Sequence, residues 1–124
     1  MTIAFIGAGN MAISLIRGLL SNGMSTADLI AADPSDVQRA NAKGTGIRTE
    51  ADNNIAISEA DIIVVAVKPQ IAGQVLKSLN TIKGTQLVIS VAAGIGLESL
   101  QSWLPAGQPI AVSYTHLRAH ETLI

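Results

Sequence analysis

The sequence predicts an α/β fold: one domain built on a parallel sheet with helices on both faces. Short runs of β-branched residues alternate with longer segments of helical period, which is typical of repeated strand-helix-strand units. Two of the later runs are almost continuously apolar, as expected for strands covered on both faces. A glycine-rich turn directly follows the first run and opens the first helical segment.

Five strands are predicted, and the fourth and fifth are expected at the centre of the sheet. The strands are predicted at residues 3–6, 29–33, 47–49, 62–66 and 87–91. The first helix spans 11–22, ends at a Gly23 cap and places Met11, Leu15, Ile16, Leu19 and Leu20 on one stripe. A second helix starts at 33–35, with Pro34 in its first turn, and runs to about Ala42. Further helices are predicted at 53–60, 70–79 and 97–104.

Composition favours a small globular protein. The 124 residues are 48% hydrophobic, enough for one core of ordinary domain size. The formal net charge is −1 and no basic cluster is present, so nucleic acid is not an expected partner. The absence of cysteine excludes disulfides and thiolate chemistry and is compatible with a reducing compartment. After the apolar N-terminal run, the longest apolar stretch is 62–67, which is too short for a membrane span. We therefore expect a soluble, cytoplasmic protein.

The turn itself reads Gly7-Ala8-Gly9-Asn10-Met11-Ala12. Gly7 permits a sharp turn, Gly9 lets the backbone approach a pyrophosphate, and the small Ala12 allows the helix to pack closely on the strand. The helix N-terminus adds N–H groups and a partial positive charge. A strand, this turn and a helix together predict a Rossmann-type dinucleotide site; the alternative is a purely structural glycine turn.

The end of the second strand carries the features that select the cofactor. Asp33 follows the glycines at about the spacing at which a carboxylate accepts hydrogen bonds from the adenosine ribose, which favours NAD. Ser35 and Arg39 follow closely, and a hydroxyl with a guanidinium can hold a 2'-phosphate, which favours NADP. In the alternative interpretation Asp33, Pro34 and Ser35 start a helix and Arg39 is solvated. The choice between NADP and NAD stays open at this point.

Ligands of such sheets bind beyond the carboxyl ends of the strands, which draws attention to two later segments. Ala66-Val67-Lys68-Pro69-Gln70 follows the fourth strand; its small residues allow close approach, although Lys68 alone is more often a solvated residue. Ser90-Val91-Ala92-Ala93-Gly94-Ile95-Gly96 follows the fifth strand. Nothing bulky there blocks a flat nicotinamide ring, but close packing of a helix accounts equally well for small residues.

Together these four segments, in this order and spacing, resemble the N-terminal domain of pyrroline-5-carboxylate reductase over about residues 1–110. The resemblance implies transfer of hydride from NADPH or NADH to the C=N carbon of 1-pyrroline-5-carboxylate, giving L-proline, the last step of proline biosynthesis. It leaves the catalytic residues unassigned and implies cofactor contacts at Ile6, Gly7, Ala8, Gly9, Asn10, Met11, Asp33, Pro34, Ser35, Asn53, Ala66, Val67, Lys68, Pro69, Val91, Ala92 and Ala93. For Asn53 the residues themselves indicate only a helix N-cap.

The last residues depart from that pattern. Members of the family continue with a motif close to Arg-Ala-Met-Pro-Asn-Thr-Pro and a C-terminal helical domain that builds the dimer and most of the substrate pocket. Residues 111–124 instead form an atypical tail, which we expect to be foreign to the fold or disordered. His116 and His120 stand four apart, but no third ligand is placed, so no metal site is predicted. The chain alone is therefore expected to bind a dinucleotide without turnover; a related NADP-dependent imine or carbonyl reductase is the other alternative.

Overall fold

A computed structural model describes residues 1–112 of the chain. Within this range six strands and five α-helices alternate, with one additional 3-10 turn at Thr26–Asp28. The strands are β1 (Ile3–Ile6), β2 (Leu29–Ala32), β3 (Arg48–Glu50), β4 (Ile62–Val65), β5 (Leu87–Ser90) and β6 (Ile110–Val112). The helices are α1 (Asn10–Ser21), α2 (Asp36–Lys43), α3 (Asn53–Ile57), α4 (Pro69–Lys77) and α5 (Leu97–Trp103).

All strands join one parallel sheet in the order β3-β2-β1-β4-β5-β6. The chain moves outward from β1 in one direction and from β4 in the other, so the order reverses between these two central strands. Ile6 aligns with Ala32 on one side and with Val65 on the other, and Val65 aligns with Ser90. Four carboxyl ends therefore meet at one edge, and the predicted Rossmann-type fold is confirmed.

The core consists of two apolar layers, one on each face of the sheet. One layer joins Ala4 and Ile6 of β1 to residues of α3, α4 and α5, including Leu76 and Leu100. The other joins the alternate residues of β1, such as Phe5, to α1 and α2. The sheet is thus covered by helices on both faces, as the continuous apolar strands predict. No helix in the described residues is long and apolar enough to cross a bilayer.

The first helix presents only part of the predicted stripe to the core. Ala12, Ile13 and Ile16 are buried, whereas Met11 and Leu15 are 48% and 38% exposed. The reason is the closeness of α1 to the glycine turn, which favours the small Ala12 at the contact. The predicted stripe is therefore correct at Ile16, Leu19 and Leu20 and wrong at Met11 and Leu15.

The start of the second helix is also corrected. Pro34 lies before α2 and not in its first turn, because Ser35 is the N-cap and its hydroxyl accepts the N–H of Gln38 at 3.3 Å. Asn53 is not an N-cap either; Asp52 caps α3 by accepting the N–H of Asn54 at 2.8 Å. In both loops the residue with the better placed side-chain oxygen satisfies the first free N–H groups.

The positions of β5 and β6 in the sheet differ from the prediction. Of the two strands expected at the centre, β4 is central, whereas β5 lies one strand from the edge. A sixth strand, which the sequence did not predict, pairs with β5, so Ala111 and Val112 belong to the sheet and not to the expected tail. Residues 113–124, with His116 and His120, lie outside the described residues.

Candidate functional site

The glycine turn packs backbone against backbone. Gly7 has φ +101°, a conformation that L side chains rarely adopt, and its N–H donates to the carbonyl of Ala32 at 2.8 Å. A Cβ on Gly7 would lie 2.8 Å from the carbonyl oxygen and 2.9 Å from the carbonyl carbon of Ala66. Glycine at this position is therefore required by the fold, whatever the turn binds.

Gly9 is different. Its φ of −79° and ψ of −168° are extended values that any residue adopts. A Cβ there would meet only the flexible end of Gln38, whose Nε2 lies at 3.6 Å, an ordinary contact distance. The fold does not demand glycine at this position, and the space that its missing side chain leaves opens into a cleft.

The N-terminus of α1 faces the same cleft. Its first helical hydrogen bond runs from the N–H of Ile13 to the carbonyl of Gly9 at 3.0 Å, and no side chain caps it. A helix leaves the N–H groups that precede this bond without acceptors in the helix and concentrates a partial positive charge there. No acidic residue occupies this first turn, so an anion meets no repulsion from it.

The cleft lies at the carboxyl ends of the central strands and has a volume of about 390 Å³. Residues from the ends of β1, β4 and β5 and from α2 line it: Gly9, Asn10, Met11, Gln38, Ala66, Val67, Lys68, Pro69, Ala92 and Ala93. An adjoining cleft of about 400 Å³ extends it toward β2 and adds Gly7, Asp33 and Ile71. The two share several lining residues, so together they form an elongated groove across the point where the strand order reverses.

The loop after β4 supplies a positively charged side chain, that of Lys68, to the groove. Lys68 is the N-cap of α4 and Pro69 occupies its first turn, a position where a missing N–H costs nothing. Lys68 is exposed and is the cation among the described residues that line the groove. Because the N-termini of α1 and α4 both reach this groove, its centre is suited to a phosphate group.

The loop after β2 is tied to the glycine turn. One carboxylate oxygen of Asp33 accepts the N–H of Ala8 and the other accepts the N–H of Ser35, each at 2.9 Å. Arg39 donates through Nη1 to the carbonyl of Asp33 at 2.8 Å and pairs through Nη2 with the carboxylate of Asp36. The guanidinium is thus anchored beside the end of β2, next to Asp33, which lines the groove, although Arg39 itself does not line it.

Most of the residues named from the sequence meet at this groove, but not all. Ile6 and Ala8 are fully buried and do not line it, whereas Val91 lines a separate apolar groove beside α1. Pro34 is exposed and Asn53 begins α3, and neither of these nor Ser35 lines the groove. No cluster of three or more metal-ligating side chains occurs in residues 1–112.

Gln38 is a lining residue that the sequence reasoning missed. Its side chain lies across from Gly9 and lines both parts of the groove. The available signal was the spacing of Ser35 and Gln38, which matches the capping-box pattern at a helix N-terminus. That pattern marks the start of α2 correctly, yet the side chain of Gln38 extends toward the glycine turn.

Comparison with known proteins agrees with this geometry. The family model described as NADP oxidoreductase, coenzyme F420-dependent, matches residues 2–94. The chain belongs to this family. A pyrroline-5-carboxylate reductase from Pseudomonas aeruginosa is 44% identical over 110 residues, which cover 87% of this chain and 40% of that protein. A second, from Vibrio alginolyticus, is 45% identical over 104 residues, or 82% of this chain and 38% of that protein.

Solved structures of pyrroline-5-carboxylate reductases also match this chain. A pyrroline-5-carboxylate reductase from Coxiella burnetii matches with a TM-score of 0.80 and 31% identity over 90% of this chain and 42% of its own. The Plasmodium falciparum pyrroline carboxylate reductase with NADP bound has a TM-score of 0.80 and 27% identity, over 90% and 41%. The resemblance seen in the sequence is confirmed, and the chain spans about 40% of the length of the curated relatives.

Proposed function

We propose that this chain binds NADP(H) in the groove and forms the cofactor half of a pyrroline-5-carboxylate reductase. The observation that carries the proposal is the contrast between the two glycines of the turn. Gly7 is explained by its positive φ and by the backbone of Ala66, whereas nothing in the fold requires Gly9 to lack a side chain. Close approach of a pyrophosphate to the backbone explains Gly9.

The proposed cofactor lies along the groove with its diphosphate at the N-terminus of α1. Asp33, Ser35 and Arg39 mark the adenosine end, and Ala92 and Ala93 leave room for a flat ring at the other. When bound, the cofactor supplies a hydride to the C=N carbon of 1-pyrroline-5-carboxylate, and with a proton the product is L-proline. The chain's own part is to bind and orient the cofactor.

NADP is proposed over NAD because of Arg39. Its guanidinium is anchored by the Asp33 carbonyl at 2.8 Å and by Asp36, beside the position expected for the 2'-phosphate. The family description and the Plasmodium falciparum relative also name NADP.

Substitution of Gly9 by Val tests the proposal. The added methyl groups fill the space where the diphosphate meets the backbone, so affinity for NADPH should fall at least about tenfold. Gly96 offers a matched control, because it is also an N-cap, has φ −89° and ψ 171°, and has nothing within 4 Å of its Cβ position. Gly96→Val should bind as the parent does, in titrations that follow nicotinamide fluorescence.

Two results would contradict the proposal: a folded parent chain that binds neither NADPH nor NADH, or a Gly9→Val variant that binds like the parent. We also propose that the chain alone binds the cofactor without forming proline, because the relatives named for this activity are proteins of which it spans about 40%. Robust proline formation by the 124-residue chain would refute that second statement and leave the binding proposal intact.

A further inference from the structure

Asp33 stands where an acidic residue commonly accepts hydrogen bonds from the adenosine ribose, yet each of its carboxylate oxygens already accepts one backbone N–H within the protein. One oxygen accepts the N–H of Ala8 and the other that of Ser35, each at 2.9 Å. Ala8 belongs to the glycine turn and is fully buried, and it lies 25 positions from Asp33 in the chain. The carboxylate therefore bridges two separate loops of the site.

We infer that Asp33 is a positioning residue, which fastens the glycine turn to the loop before α2, and that it does not discriminate between NADPH and NADH. This inference rests on the proposed cofactor binding. It assigns to Asp33 a role common to both cofactors, in place of the ribose selectivity that its position in the sequence suggests.

The hydrogen bonds of the turn support the positioning role. The N–H of Gly7 donates to the carbonyl of Ala32 at 2.8 Å and the N–H of Ala8 donates to Asp33, so the end of β2 holds both groups. Asp33 is held in turn, because its own N–H donates to the carbonyl of Glu50 at 3.0 Å. The N–H groups that are free for a diphosphate therefore begin at Gly9. Their direction depends on the hydrogen bonds that hold Gly7 and Ala8 to the end of β2.

The charges around Asp33 support the absence of selectivity. Its carboxylate accepts two N–H groups, and the guanidinium of Arg39 lies on the carbonyl of the same residue at 2.8 Å. Charge-assisted bonds of this kind are among the stronger ones in proteins, so they keep the carboxylate turned toward the turn. The negative charge of Asp33 is therefore partly offset by the N–H groups that it accepts and by the neighbouring guanidinium of Arg39, which also pairs with Asp36.

The test compares the affinities of NADPH and NADH for the 124-residue chain and for Asp33→Asn. Asparagine keeps the shape and one acceptor oxygen but opposes an NH2 group to one of the two N–H donors. Both affinities should fall by the same factor, about tenfold or more, so that their ratio is unchanged. Asp61→Asn is a matched control, because Asp61 also accepts a backbone N–H, that of Thr2 at 2.8 Å, near the amino ends of β1 and β4.

A second variant separates the two hydrogen bonds. In Asp33→Ser the hydroxyl can still accept the N–H of residue 35 but is too short to reach Ala8, so it should weaken both cofactors as Asp33→Asn does. Amide exchange at Ala8, measured without cofactor, should accelerate in Asp33→Ser, which lacks an acceptor for this N–H, and not in Asp61→Asn. Circular dichroism verifies that each variant is folded.

The outcomes separate the two proposals. If the parent binds no dinucleotide, the proposed function fails. If the parent binds but Asp33→Asn weakens NADH alone or improves NADPH, Asp33 reads the ribose and the inference is overturned. Unchanged affinities for both cofactors in both Asp33 variants, or unchanged amide exchange at Ala8 in Asp33→Ser, overturn it as well.

Discussion

Gly7→Ala should destabilise the fold even without a ligand. The φ of +101° costs about 1–3 kcal/mol in a residue with a Cβ. The Cβ would also lie 2.8 Å from the carbonyl oxygen of Ala66, where ordinary contacts begin at 3.4 Å, and overpacking of this kind costs about 1–3 kcal/mol. The free energy of unfolding should therefore fall by about 2–6 kcal/mol, a large part of the total for a domain of this size.

Urea denaturation measures this loss directly. Trp103 is the single tryptophan and packs against the core layer of α3, α4 and α5, so its fluorescence reports unfolding together with circular dichroism. The matched substitution is Gly9→Ala, whose Cβ meets only Nε2 of Gln38 at 3.6 Å and which should change stability by less than about 1 kcal/mol. Equal stability of Gly7→Ala and Gly9→Ala would refute the argument that only the first glycine is structural.

Two further predictions concern the proposed adenosine end of the groove and a buried amide. Arg39→Ala should weaken NADPH binding about tenfold or more and leave NADH binding nearly unchanged. Fluorescence titration measures both affinities, and Arg17→Ala, at an exposed position, is the control. Equal weakening of the binding of both cofactors would contradict the prediction. Gln86 is 2% exposed; its Nε2 donates to the carbonyls of Ile57 and Ala60 at 2.7 and 2.8 Å, and its Oε1 accepts the N–H of Lys83 at 2.8 Å. Gln86→Leu leaves these groups unpaired and should lower the free energy of unfolding, measured by urea denaturation, by about 3–5 kcal/mol. The control Gln74→Leu, at an exposed position, should change it by about 0.5 kcal/mol at most. A similarly small loss for Gln86→Leu would show that the three bonds contribute little.

The parts of the fold that were predicted correctly depend on local pattern. The continuous apolar runs and the turn at Gly7 and Gly9 reflect backbone geometry and burial, which neighbouring residues reveal. Strand β6 was missed because Ile110–Val112 is only 3 residues long and is recognisable chiefly through its pairing with β5.

The parts of the site that were not predicted depend on contacts between distant residues. The carboxylate of Asp33 reaches Ala8 across 25 positions, and the side chain of Gln38 reaches the glycine turn from α2. The burial of Ala12 and Ile13 in place of Met11 and Leu15 likewise depends on how closely the start of α1 approaches the sheet. No periodicity within one segment carries this information, because each contact requires the relative placement of two elements.

The contact between Gly7 and Ala66 has a consequence for anyone who redesigns the cofactor site. A Cβ position 2.8 Å from that backbone carbonyl means that the two loops pack directly on each other, so an insertion that shifts the backbone after β4 displaces the turn that would grip the diphosphate. Exchanging the loop between β1 and α1 for that of another member of the family therefore requires exchanging the loop between β4 and α4 as well. The two segments, about sixty positions apart in the sequence, form a single transferable part.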